Sequence, residues 1–135
     1  MGKLRHIAIT VQDPESTARF YENTFGMQRV ETHALGVMLS DGTVSLAVLK
    51  FPSDEMAGDE RGKDFTGLHH IGFLVDDLDA SAAAVEANGG TYHMRLPPIE
   101  GRDPLDTEHK YRDPDGVVFD IVNQRYAEGS WGAKD

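Results

Sequence analysis

The chain contains no cysteine, which excludes disulfides, thiolate metal sites and cysteine nucleophiles and fits a reducing cytoplasm. No apolar stretch approaches the roughly 20 residues that span a bilayer. Met1-Gly2-Lys3-Leu4-Arg5-His6 runs straight into patterned sequence, with no room for a signal peptide. Positive charge is scarce. Thirteen Lys and Arg against 23 Asp and Glu leave a net charge of −10, which repels phosphate backbones. The expectation is a cytoplasmic protein that binds neither nucleic acid nor membrane.

What is present is globular material. A length of 135 residues allows one domain with a core, and 39% apolar with 27% charged residues argues against disorder. The most informative feature is an internal repeat. Leu4-Arg5-His6-Ile7-Ala8-Ile9-Thr10-Val11-Gln12-Asp13 matches Leu68-His69-His70-Ile71-Gly72-Phe73-Leu74-Val75-Asp76-Asp77 at a single offset of 64 (70 − 6 for the histidines). The same offset relates Ala18 to Ala82, Glu22 to Glu86 and Gly26 to Gly90. Matches that hold register across a strand, a cap and a helix end indicate duplication.

Each copy opens on a β-branched, apolar strand. Asp13 then supplies an N-cap oxygen ahead of Pro14 at the first helical position. Ala18, Tyr21 and Phe25 form an apolar helix face, and Gly26 ends it. In the second copy Asp77 caps, Leu78, Ala82 and Val85 face inward, and Asn88-Gly89-Gly90 stops the helix. Three strands follow each helix: about 28–32, 36–40 and 43–50, then 91–95, 108–112 and 117–124. The order is strand, helix, strand, strand, strand in each module, with modules at about 4–51 and 67–124, a linker at 52–66 and a tail at 125–135. Pro97–Thr107 reads as a loop over one end of the sheet, and the tail as disordered, a lid or a dimer contact.

Duplication places His6 and His70 at equivalent points of equivalent strands. Alternation puts His6, Ala8 and Thr10 on one face and His70, Gly72 and Leu74 on the matching one, leaving a hollow beside the histidines, while His69 points the opposite way. Asp120 lies in the otherwise apolar run Val117–Val122, where an ionised carboxylate needs a cation or donors. Two imidazoles and one carboxylate form the set that holds iron(II) with open positions, and the same types suit Mn(II), Zn(II), Ni(II) or Co(II). Each of the three taken alone reads more readily as a core or surface group; their coincidence is what points to a metal.

The run from His6 to Asp13, followed by Ala18-Arg19-Phe20-Tyr21 and Phe25-Gly26-Met27, resembles the opening of the vicinal oxygen chelate superfamily. The second copy and Asp113-Pro114-Asp115-Gly116 extend the likeness over about residues 4 to 123. That superfamily holds glyoxalase I, extradiol dioxygenases, methylmalonyl-CoA epimerase, fosfomycin-resistance enzymes and metal-free proteins of the bleomycin-resistance kind. The resemblance implies an α+β fold: two tandem βαβββ modules forming a cupped eight-stranded mixed sheet, with ligands on strands one, four, five and eight, often in a homodimer. His6, His70 and Asp120 fall on the first, third and last ligand positions, with Asp where Glu is usual. The strand-four position falls on Leu46 or Ala47, neither of which binds metal.

Three ligands match the extradiol dioxygenases, so the expected function is oxygen chemistry on a substrate with two adjacent oxygens, through one divalent metal, Fe(II) favoured. The alternatives are a glyoxalase-like lyase, isomerase or epimerase at the same site, and a metal-free binding protein. The dioxygenases often place Tyr where this chain has Lys110. Tyr111 is one residue off and faces away unless a bulge shifts it. His33, His93, Lys110 and Arg112 are further candidates for acid, base or anion-binding roles.

Overall fold

A computed structural model describes residues 1–58 and 61–133. Its elements are β1 (Lys3–Thr10), α1 (Pro14–Phe25), β2 (Gln28–His33), β3 (Gly36–Ser40), β4 (Ser45–Leu49), α2 (Asp54–Ala57), β5 (Gly67–Leu74), α3 (Leu78–Ala87), β6 (Thr91–Arg95), β7 (His109–Arg112), β8 (Val118–Val122) and α4 (Gln124–Tyr126). A π-helical turn over Ala127–Trp131 follows.

All eight strands form one open mixed sheet in the order β2-β3-β4-β1-β5-β8-β7-β6. Each half has the same internal plan. The first strand of each module pairs parallel with its fourth, β1 with β4 and β5 with β8, and the modules join where β1 meets β5 antiparallel. That join carries two β-bulges. The register slips between Leu4 and His6 and again between Ala8 and Ile9, leaving Arg5 on one strand and His69 on the other as the extra residues. They are counterparts at the repeat offset, so the irregularity was duplicated with the strand.

The caps form as their residue types dictate. Asp13 accepts from Ser16 N–H and Asp77 from Ala80 N–H, while Gly26 ends α1 in the left-handed conformation at φ 70°. The helices cover the outer face of the sheet. Ala18 packs with Val37, Leu39 and Val48, and on the other half Val75, Tyr111 and Ile121 pack with Leu78, Ala82 and Val85. Phe25 is not part of that packing; it is 70% exposed at the last residue of α1, with its ring beside that of Tyr21.

The concave face is closed at one end by the chain's own tail. Asn123 caps α4 by accepting from Tyr126 N–H, and the turn after it carries Tyr126, Ala127 and Trp131 against Ala8, Leu74 and Val122. The loop over the sheet end holds this tail in place. Asp106 accepts from Asn123 Nδ2 at 2.6 Å and from Arg125 Nε at 2.9 Å, and Arg102 donates to Ser130 Oγ. The tail is therefore a plug inside the cup. Within the segment 52–66, Ser53 caps the short α2 by accepting from Met56 N–H.

Candidate metal centre

Strand alternation delivers His6, Ala8 and Thr10 from β1, His70, Gly72 and Leu74 from β5, and Val118, Asp120 and Val122 from β8 to the concave face, all of them buried. His6, His70 and Asp120 each offer a ligand atom within 4.8 Å of the others. Bonds of roughly 2.1 Å impose ligand–ligand separations of roughly 3–4 Å, so a small rotation of the side chains suffices to meet them. His6 and His70 line a cavity of about 520 Å³ with largely apolar walls, including Met38, Leu49, Phe51 and Ile99, and Asp120 lies buried behind them.

The geometry tests whether these residues fit a cation. His70 Nε2 and Asp120 Oδ2 stand 3.1 Å apart, the one 6% and the other 0% exposed in its side chain. Neither atom makes a hydrogen bond. A proton on Nε2 would join the two in a hydrogen bond; with Nε2 bare they are two buried acceptors that repel unless a metal ion is shared between them. Charge points the same way. Asp120, Glu108 and Lys110 lie together beneath the cavity, so with neutral imidazoles the cluster is one positive charge short.

Lys110 Nζ donates to Asp120 Oδ1 at 2.7 Å and to Glu108 Oε2 at 3.2 Å, and Tyr126 O–H donates to Glu108 Oε1 at 3.1 Å. Burial disfavours charge on Lys110, but Asp120 and Glu108 outweigh it and hold its pKa above the ordinary lysine value. Burial alone would raise Asp120; the Lys110 ammonium and then His70 prevail and keep its carboxyl below the usual carboxylate range. Burial, then the neighbouring His70, lowers His6 to about 3, so its imidazole is neutral and available as a ligand. The Tyr126 phenol is pushed up by burial and then by Glu108, and stays a donor.

Both imidazoles are oriented. His6 Nδ1 meets Ser45 Oγ at 3.0 Å, and the ring lies against the indole of Trp131. His70 Nδ1 meets His69 Nδ1 at 2.8 Å, and His69 Nε2 donates to the carbonyl of Ala57 at 2.7 Å. His69 thus does not point away from the cup as alternation predicts; the bulge turns it inward to line the cavity.

The strand-four question resolves through the parallel register, which sets His6 beside Ser45 and Ala8 beside Ala47. Ala47 lines the cavity, whereas Leu46 packs under α1 on the other face. Of the remaining candidates, Lys110 lies in the site, and His33 and His93 line the cavity further out. Tyr111 packs in the outer cluster with Val75 and Ile121, so it is excluded from the site by plain alternation. Arg112 shares the face of Lys110, but its guanidinium is drawn to the carbonyl of Gly116 in the β7–β8 turn. Ser45, His69, Glu108, Tyr126 and Trp131 were not among the residues singled out from sequence. Glu108, two residues from Lys110 on an alternating strand, carried the one available signal.

A model of the Glyoxalase/Bleomycin resistance protein/Dioxygenase superfamily matches residues 3–121. The chain is 24% identical over 139 residues to a lactoylglutathione lyase of Haemophilus influenzae, covering 96% of this chain and 98% of that one. A solved Streptomyces coelicolor methylmalonyl-CoA epimerase in complex with 2-nitronate-propionyl-CoA superposes with a TM-score of 0.68 at 26% identity, over 90% of this chain and 96% of that one. The fold is also that of a Mn(II)-bound glyoxalase from Novosphingobium aromaticivorans, TM-score 0.61 at 19% identity, covering 91% of this chain and 40% of that one.

Proposed function

This chain belongs to the Glyoxalase/Bleomycin resistance protein/Dioxygenase superfamily, and from that membership we propose that it is a divalent-metal-dependent lyase, isomerase or epimerase that moves a proton beside a carbonyl of a small-molecule substrate. The reading rests first on the facing pair of unbonded acceptors, His70 Nε2 and Asp120 Oδ2, with His6 beside them. His6, His70 and Asp120 would hold the divalent ion, which would supply a Lewis acid for acidifying the carbon next to a carbonyl.

The protein groups supply the rest. Glu108 is a carboxylate lining the cavity, with Lys110 and Tyr126 donating to its two oxygens. It is the group placed to take a proton from substrate carbon and return it, and its two donors hold the carboxylate in a fixed orientation. Apolar walls exclude water from the transfer. The names of the relatives, lactoylglutathione lyase and methylmalonyl-CoA epimerase, support this proton chemistry over the ring-cleaving oxygen chemistry suggested by a three-ligand set. So does the position of Tyr111 on the wrong face to act at the site.

The homodimer expected from the resemblance belongs to the same reading, supported by Phe20 and Phe25, which leave apolar surface on α1 57% and 70% exposed. The test is to load the protein under nitrogen with Mn(II), Ni(II), Zn(II) or Fe(II), and to follow methylmalonyl-CoA and lactoylglutathione for turnover and for exchange of a carbon-bound proton with deuterated solvent. Turnover or exchange that needs metal but not oxygen is the expected result. Oxygen uptake with catechols and no exchange would restore the dioxygenase reading. Failure to hold any metal after purification without chelators would leave a binding protein.

A further inference from the structure

His69 is not needed as a ligand, yet the fold bends a strand to bring it into the site. The slip between Ala8 and Ile9 on β1 makes His69 the extra, bulged residue of β5. Without that bulge, strict alternation would send its ring to the outer face, under the helices. Instead the ring lies against Phe51, with centroids 4.9 Å apart, and links two partners in a line. One is the Ala57 carbonyl at the end of α2, 2.7 Å from Nε2; the other is His70 Nδ1, 2.8 Å from Nδ1.

The chemistry of that line has a direction. A backbone carbonyl only accepts, so His69 must carry its proton on Nε2. Its Nδ1 is then an acceptor in the neutral ring, and His70 must supply the proton from its own Nδ1. This leaves a lone pair on His70 Nε2, the atom that faces Asp120 Oδ2 at 3.1 Å. Histidine side chains free in solution prefer the opposite arrangement, with the proton on Nε2, which would block the ligand atom. The partner of His6 imposes no such order, because the Ser45 hydroxyl can donate or accept.

We propose that His69 is a positioning residue that locks His70 in the Nδ1–H tautomer and so prepares Nε2 to bind a divalent metal, with the Ala57 carbonyl as the anchor that sets the direction. The proposal rests on the metal reading given above; in the metal-free protein the Nδ1 proton belongs to His70 as well, with any second proton on Nε2 shared with Asp120 until a metal ion displaces it. Carbonyl-to-histidine partners of this kind fix the ring orientation of metal ligands, and their removal typically costs 10–100-fold in metal affinity.

The test uses the whole chain labelled with ¹⁵N in its histidines. In the metal-free wild type, long-range ¹H–¹⁵N correlation spectra should show His70 protonated at Nδ1, and loading with Zn(II) should leave that proton in place with Nε2 bare. His69→Phe keeps the aromatic packing on Phe51 and removes both hydrogen bonds. In that variant His70 should shift toward the Nε2–H form, and Mn(II) or Zn(II) affinity measured by calorimetry should fall about 10–100-fold. A wild-type His70 bare at Nδ1 would overturn the proposal even if the variant failed to fold. So would a folded His69→Phe protein with unchanged tautomer and unchanged affinity. If the wild type shows the Nδ1–H tautomer but binds no metal, the metal reading falls while the tautomer lock stands.

Discussion

The indole of Trp131 lies flat on the imidazole of His6, with ring centroids 4.5 Å apart and planes 3° from parallel. Trp131 is fully buried, although only four residues follow it in the sequence and it was legible there only as part of a polar tail. The stack makes the tail part of the proposed metal centre, because the plug fixes one face of the His6 ring. Trp131→Ala should cost about 3–5 kcal/mol through the cavity it opens, and should loosen metal binding as His6 gains freedom. Trp131 is also the single tryptophan of the chain. Titration with Ni(II) or Co(II) should therefore quench the intrinsic emission saturably, and His6→Ala should abolish the quenching. An emission that ignores both ions would place the metal elsewhere.

Gly72 is the residue that admits this stack. A Cβ there would lie 2.7 Å from Trp131 Cη2 and 3.0 Å from the Cβ of His6. Gly72→Ala forces one of the two rings to move and should destabilise by about 1–3 kcal/mol, as overpacking does. Urea midpoints at unchanged m-value would measure it. The φ of Gly72 lies outside the left-handed region, so the penalty is steric and carries no backbone strain.

Much of this was legible in the sequence, and for one reason: duplication. Two copies of a strand with His at the same place, each followed by Asp as a helix cap, specified both the order of elements and the pairing of His6 with His70. Asp120 stood out as a carboxylate in an apolar strand. Legibility ended where period-2 alternation is broken or where partners come from distant segments. The bulge at His69 reverses a facing that alternation assigns, and nothing in Gly67–Leu74 marks it. Ser45 reaches His6 through a parallel register between strands 39 residues apart, and the register is a property of the sheet. Phe25 fitted the apolar stripe of α1 by spacing alone, but it lies outside the cluster that Ala18 joins and stays exposed.

Glu108 separates proton transfer from metal binding. Its carboxylate is held by Lys110 and Tyr126 and is no part of the ligand set. Glu108→Gln should keep bound metal near the wild-type level while solvent exchange of the substrate proton falls about 10²–10⁴-fold. Metal analysis and deuterium incorporation on the same preparation read the two effects separately. Equal losses of metal and exchange would make Glu108 a support for the site, not its base.

Lys110 tests the charge balance. Lys110→Met removes the cation between Asp120 and Glu108 and leaves two buried carboxylates uncompensated, a change worth about 3–5 kcal/mol in the metal-free protein. A divalent ion at Asp120 replaces part of the lost charge. The penalty should therefore shrink when Mn(II) is present, read as the difference between wild-type and variant urea midpoints with and without the ion. A penalty that metal leaves unchanged would argue that no ion binds beside Asp120.

Acid should unfold the metal-free protein through the same residues, and the sign follows from their shifts. His6 is lowered from 6.5 to about 3 by burial, so between those values the unfolded chain takes up a proton that the folded chain refuses. Stability is then complete above pH 6.5 and falls as the pH drops toward 3, by about 1.4 kcal/mol per unit and on the order of 4–5 kcal/mol in all. Asp120, held low chiefly by Lys110 against its own burial, adds a loss that begins only below the ordinary Asp value near 4. Lys110 is raised, so its contribution is intact throughout this range and declines only as the pH rises above the ordinary lysine value. Urea midpoints recorded from pH 7 to pH 4 should slope downward in the wild type. They should be flatter in His6→Phe, which keeps a ring under Trp131 but has nothing to protonate. Parallel slopes in the two proteins would show that His6 is not the group that acid attacks.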